Sequence, residues 1–173
     1  PTSLVAQRDA GFAAIETVRA ALTNLGFIEL YTYSLTDEGV VAPANSLVRG
    51  RDHMRSNLTR GVTRALEKNA PNMPLLGMND MRVFEVGNVF TPGNEALHVC
   101  IAARVSGKNG SARAAALVEE ALTAVAHALG IDRTQLPAAA EIVEWDLTAL
   151  LPNITSHVET LPRIAHGITL SPM

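Results

Sequence analysis

Apolar positions recur every three or four residues between Ala10 and Leu25, where Phe12, Ile15, Val18, Leu22 and Leu25 lay one stripe along a helix. Asp9 suits its N-cap and Gly26 its stop. The stretch from Phe27 to Leu35 is rich in β-branched and aromatic residues, closes on Thr36-Asp37-Glu38-Gly39 and reads as a strand. After a Pro- and Asn-containing loop over Val41 to Ser46, Ser56 or Asn57 is placed to cap a second helix carrying Leu58, Val62, Ala65 and Leu66. Pro71 and Pro74 forbid its continuation.

Two strands follow, Met81 to Phe90 and Ala96 to Val105, joined through Thr91-Pro92-Gly93-Asn94, whose chemistry suits an antiparallel hairpin. In the second strand Leu97, Val99, Ile101, Ala103 and Val105 share one face, which is the core face; His98, Cys100, Ala102 and Arg104 share the other. Gly107 to Gly110 leads into a helix from Ser111 to Leu129 with Val118, Leu122, Val125 and Leu129 as its stripe and Gly130 as its stop. A strand over Ala140 to Trp145 and a short helix over Leu147 to Leu151 complete the readable part. The pattern predicts an α+β domain, an antiparallel sheet with its helices on one side. One domain is expected over residues 1–151, with 152–173 a tail or linker.

Composition narrows the class without naming a function. The 173 residues are enough for one domain with a proper core. Aromatics make up only 4% while alanine fills much of the 47% hydrophobic share, which favours closely packed helices. A net charge of −3 says little about partners. The single cysteine, Cys100, excludes an internal disulfide framework and a cysteine-based zinc cluster, and fits a reducing cytoplasm. No apolar run approaches the roughly 20 residues that span a bilayer, and no leader pattern stands at the start, so a soluble, unsecreted chain is expected. It opens on Pro1 rather than methionine, as a piece of something larger would.

Charged residues concentrate in two places. Arg82 and Glu85 sit three apart in the strand Met81 to Phe90; their parity puts them on opposite faces, each to be paired by a neighbour. Arg49, Arg51, Arg55, Arg60, Arg64 and Lys68 face only Asp52 and Glu67. Arg60, Arg64 and Lys68 stand four apart, a row that a helix lines up on one side and a candidate RNA contact whose affinity would fall steeply with salt. A solvated face with intrahelical pairing is the plainer reading, and no aromatic interleaves the row to stack on bases. The histidines His53, His98, His127, His157 and His166 lack ligand spacing, so no metal site is expected. Ser106-Gly107 and Cys100 lack the surroundings of a nucleophile, and no catalytic residue is assigned.

Several segments resemble a known family in the same order. The opening helix and strand, from Gly11-Phe12 through Leu25-Gly26-Phe27-Ile28-Glu29-Leu30-Tyr31-Thr32-Tyr33-Ser34-Leu35, are similar to the "lGFqEvitySf" element, Met54-Arg55-Ser56-Asn57-Leu58 to "MRTSL", and Met81 to Phe90 to "LRLFEIGRVF" of phenylalanine–tRNA ligase β subunits. The strand Leu97 to Val105 with Ser106-Gly107 resembles "LAGLLSG", and Glu144 to Leu151 resembles "fEiDLdaLL". Leu161 to Leu170 resembles "fPavrRDIal", with His166-Gly167 in place of Arg-Asp, at the entry to a C-terminal anticodon-binding-like domain of bacterial β subunits. The resemblance implies a class II synthetase-like core without its chemistry. Arg82 and Glu85 take a place analogous to the "fRxE" motif, yet no Gly-rich segment ending in Glu-Arg follows, so this chain alone is predicted inactive and binds no cofactor, while the parent enzyme uses ATP and magnesium. Implied partners are the catalytic α subunit, within a heterotetramer, and tRNA(Phe). Ile15, Val18, Leu22 and Leu25 become subunit-interface candidates; Arg55, Arg82, Phe84 and Glu85 become structural or interface residues. The alternatives are a freestanding paralogue binding ATP and an amino acid, a tRNA-binding module built on the Arg49 to Lys68 row, and an unrelated α+β interaction domain.

Overall fold

The computed structural model describes residues 9–45 and 49–154. The first helix, α1 (Ala10–Asn24), begins where the Asp9 carboxylate accepts the Phe12 N–H at 2.8 Å. It ends at Gly26, whose φ of +77° lets Phe27 N–H donate back to the Leu22 carbonyl at 3.1 Å. The long helix α3 (Gly110–Leu129) stops by the same device: Gly130 at φ +66° and Ile131 N–H on the Ala126 carbonyl.

The strand expected over Phe27 to Leu35 is split in two. Only β1 (Ile28–Glu29) lies in the main sheet, and Leu30 N–H still donates to the Phe84 carbonyl. The chain then leaves the sheet, because the Thr32 N–H is given to the Glu85 side chain instead of to a strand. Leu35–Thr36 forms a second strand, β2, paired antiparallel with β3 (His53–Met54) in a separate two-stranded ribbon.

The second helix, α2 (Thr59–Asn69), gives way to a 3-10 turn at Ala70–Asn72, where Pro71 removes an amide donor. Then comes the hairpin of β4 (Asp80–Thr91) and β5 (Asn94–Val105), turned by Pro92-Gly93 with Gly93 at φ +74°. After α3, β6 (Ile142–Asp146) pairs antiparallel with β5, and the short helix α4 (Leu147–Leu150) follows.

The sheet order is β1-β4-β5-β6, and β1 runs parallel to β4. The sheet is therefore mixed: the antiparallel sheet expected from the sequence is present in β4, β5 and β6, and β1 adds a parallel edge. The ribbon and α2 stand between β1 and β4 and carry the chain back to its starting end, as a parallel pair requires.

Helices also cover both faces, not one. On the first face α1 and α3 pack Val18, Leu22, Val118, Leu122 and Val125 onto Phe84, Val86, Val99 and Ile101. On the second, Leu58, Val62 and Leu66 of the α2 segment, with Met73, pack onto Met81, Val83, Cys100 and Ala102. The face of β5 read as the outer one is thus core at Cys100 and Ala102, where small side chains let α2 approach closely. The domain boundary expected after residue 151 falls in the 3-10 turn Leu151–Asn153; most of the tail, from residue 155 on, lies outside the described residues.

Candidate functional site

Strand β4 carries Glu85 on its α2 side, and the segment before α2 carries Arg55 towards it. The Arg55 guanidinium donates from Nη1 to Glu85 Oε1 at 2.6 Å, with side-chain exposures of 8% and 3%. Its Nε donates to the Asn88 carbonyl at 2.8 Å, and Nη1 also reaches the Thr32 carbonyl and Oγ1 at 3.3 and 3.1 Å. Thr32 closes the ring: its N–H and hydroxyl donate to Glu85 at 3.0 and 2.8 Å. Two glycines make room. A Cβ on Gly87 would lie 2.3 Å from Arg55 Nη2, and one on Gly61 of α2 would lie 2.6 Å from Thr32 Oγ1. The Arg of the Met54-Arg55-Ser56-Asn57 run and the Glu of the Phe84-Glu85-Val86-Gly87 run are the two halves of one buried, hydrogen-bonded ion pair.

Sequence reasoning paired neither residue with the other, and it missed a second carboxylate altogether. Glu144, at the centre of β6, accepts from Leu58 N–H, Thr59 N–H and Thr59 hydroxyl at 3.0, 2.8 and 2.6 Å, and from His98 Nδ1 at 2.8 Å. It caps α2 from another element, beside Asn57, one of the two caps expected, whose Oδ1 accepts the Arg60 N–H at 3.1 Å. Burial pushes the Glu144 pKa up, but the hydrogen bonds from Thr59, Leu58 and His98 outweigh it and hold the carboxyl below its ordinary value. Cys100 lies nearby with its thiol pushed up to about 12 by burial and by the Glu144 charge, which makes it an inert core side chain. Alternation along Ile142-Val143-Glu144-Trp145 sets Glu144 on the face opposite Val143 and Trp145, but nothing local names a partner that far away in the chain.

The other predicted residues fall as follows. Val18 and Leu22 are completely buried and Ile15 and Leu25 half-buried, so the α1 stripe from Ile15 on packs inside this domain, against α3 and the sheet, while Phe12 at its start is 53% exposed. Phe84 is completely buried. Arg82 is partly exposed, on the α1 side of β4, and donates to Asp80 and to the Leu25 carbonyl. It does not meet Glu85. Arg60, Arg64 and Lys68 do line up on α2, along an open groove of about 850 Å³ whose opposite wall is the segment after β1. There Asp37 takes Arg60 at 3.3 Å and Arg64 at 3.1 Å, and Glu38 pairs with Arg60. The hydrogen bond from Arg64 holds the Asp37 carboxyl below its usual range. Tyr31 and Tyr33 line the same groove, aromatic residues that the row itself lacks. Among the described residues no three His, Cys, Asp or Glu side chains come together to hold a metal ion, and no helix is long and apolar enough to cross a membrane. His157 and His166 lie outside the described residues.

The family profile described as the phenylalanyl-tRNA synthetase β chain CLM domain matches residues 2–158. The chain belongs to this β-chain family. Its fold is that of class II aminoacyl-tRNA synthetases: a pyrrolysyl-tRNA synthetase from Desulfitobacterium hafniense superimposes with a TM-score of 0.56 over 75% of this chain and 48% of that one, at 17% identity. A second structure of the pyrrolysyl-tRNA synthetase from that organism gives the same score and identity over 74% and 50%. The chain spans about half the length of these synthetases. No curated protein matches the sequence.

In this β-chain domain the two polar clusters do structural work. Arg55 and Glu85 pair with each other and with Thr32, and the Glu144 carboxylate occupies the α2 N-terminus, where an anion would otherwise be attracted. Among the described residues, the groove beside α2 is the place where cations and aromatic rings meet at a surface large enough for a ligand.

Proposed function

We propose that the chain is the non-catalytic, class II synthetase-like domain of a cytoplasmic phenylalanine–tRNA ligase β subunit, which positions the catalytic α subunit and thereby supports aminoacylation of tRNA(Phe). The observation that supports this reading is the Arg55–Glu85–Thr32 cluster, which takes up the Glu of the motif most like a synthetase's: the two charges pair with each other, with 8% and 3% exposure, instead of standing as free charges. Arg82, the side chain an ATP-binding paralogue would turn to a phosphate, is held by Asp80 and the Leu25 carbonyl. On this reading the domain itself takes neither ATP nor magnesium; the assembled enzyme does.

A scaffold needs uncovered apolar surface. Strand β1 is an edge of the sheet, and beside it Ile28 and Leu76, 59% and 69% exposed, line an apolar hollow of about 240 Å³, with Leu75, 84% exposed, next to Leu76 in the chain. That surface, not the buried α1 stripe, is offered to the α subunit.

The test is co-purification of the chain with the α subunit of the same source, together with ATP–pyrophosphate exchange by the chain alone. A stable complex and no exchange are expected. Phenylalanine-dependent exchange by the isolated, folded chain, or failure of the folded chain to retain the α subunit, overturns the reading.

A further inference from the structure

The turn from β5 into α3 runs Ser106-Gly107-Lys108-Asn109-Gly110 and is exposed as far as Asn109. Among the described residues Asn109 is the one non-glycine in the left-handed region, at φ 57°, where asparagine is tolerated better than most side chains. Gly110 is required for a different reason: a Cβ there would lie 2.3 Å from the Val105 carbonyl oxygen, which is backbone and cannot swing aside. The fold thus sets Asn and Gly side by side, and no other asparagine in the sequence is followed by glycine. Such a dipeptide is chemically labile, because no side chain on its second residue shields the amide nitrogen from the neighbouring carboxamide. Little holds it here. The Asn109 side chain makes no capping hydrogen bond. Gly110 N–H donates to the Gly107 carbonyl at 3.2 Å, and the Asn109 carbonyl accepts from Arg113 N–H at 3.0 Å, in the first turn of α3, where helices fray.

We propose that Asn109 is a site of spontaneous covalent modification, converted through a succinimide into aspartate and isoaspartate. The Gly110 nitrogen, losing its proton to base, attacks Asn109 Cγ; a new C–N bond forms, the Cγ–Nδ2 bond breaks, and the amide nitrogen leaves as ammonia with a proton from solvent. Water then opens the ring at either carbonyl, so a water is consumed, an ammonia is released and nothing is oxidised or reduced. The two products act in opposite directions. Aspartate places a negative charge at the first turn of the 20-residue α3, the favourable sign for that end of a helix. Isoaspartate routes the main chain through the side chain and adds a methylene where Gly110 already lies too close to Val105 for a Cβ. The site goes beyond the scaffold reading and shares no residue with it, so either can fail alone.

The experiment keeps the folded chain in warm, mildly alkaline, heavy-oxygen water, then maps its peptides by mass spectrometry, with isoaspartate scored by enzymatic carboxyl methylation. Heavy oxygen is expected at Asn109 about tenfold sooner than at any other asparagine, Asn45 included, which serine follows. Asn109→Gly keeps the positive φ, so it should abolish that uptake and leave the melting temperature near native. Asn109→Asp should melt at the native temperature or slightly above it, and the isoaspartyl fraction, separated by chromatography, should melt lower. A folded chain whose Asn109 keeps its amide while the urea-unfolded chain loses it, or one in which Asn109 reacts no sooner than Asn45, overturns the proposal. An isoaspartyl fraction as stable as the native chain overturns the effect assigned to it.

Discussion

Removing one member of the Arg55–Glu85 pair strands the other charge among Thr32, Leu58 and the backbone of β4, where no water shell replaces the missing partner. Arg55→Met is therefore expected to lower the unfolding free energy by about 3–5 kcal/mol, read as a shifted urea midpoint at constant slope. Adding Glu85→Leu should restore a large part of that loss, because an apolar pair of similar volume has no charge to desolvate. Gly87 supplies a check on the same geometry. Its missing Cβ is the space that Arg55 Nη2 fills, so Gly87→Ala should cost about 1–3 kcal/mol in the native chain and clearly less when Arg55 is already Met. Equal costs in both backgrounds would remove the guanidinium as the reason for the glycine.

Helix α2 depends on an acid supplied from β6. Glu144→Gln leaves the shape but loses the charge that Leu58 and Thr59 N–H and His98 share, and should cost about 2 kcal/mol at neutral pH. The pH dependence has a definite sign. A carboxyl whose folded pKa lies below its ordinary value of 4.5 stabilises fully above that value, and the contribution fades as pH falls through the folded pKa. The gap between native and Glu144→Gln should thus be widest near neutrality and close below about pH 4.5; a constant gap across an acid titration followed by denaturant melts would mean that shape alone matters. The elements themselves were legible where their signals are local: the α1 and α3 stripes with Gly26 and Gly130 behind them, and the Pro92-Gly93 hairpin. The Glu144 cap was not, because its donors stand 86 residues away in sequence. Nor was the parallel β1, since Phe27 to Leu35 has strand composition throughout and only the tertiary demand of Glu85 for Thr32 N–H divides it. The site suffered the same limit: Arg55 and Glu85 were both singled out, but a spacing of 30 residues carries no sign that they pair.

At the scale of the whole molecule the question is which apolar surface holds the domain together and which is left for a partner. The heptad-like stripe of α1 reads equally well as a core seam or as a subunit seam, and only burial separates them. Val18 and Leu22 are wholly enclosed between α3 and the sheet, whereas Ile28 and Leu76 stand open beside the β1 edge. Substitution by charge should therefore split the two groups. Leu22→Asp places an unpaired carboxylate in the main core and should abolish cooperative unfolding or cut the melting temperature severely. Ile28→Asp with Leu76→Asp should leave the melting temperature within a few degrees of native, since surface changes away from buried features are worth within about 0.5 kcal/mol, yet prevent retention by the α subunit. A folded Leu22→Asp chain that merely loses the α subunit would return the interface to α1. A folded Ile28→Asp, Leu76→Asp chain that still binds would move it away from the β1 edge, to the remaining exposed apolar positions such as Phe12 and Val40.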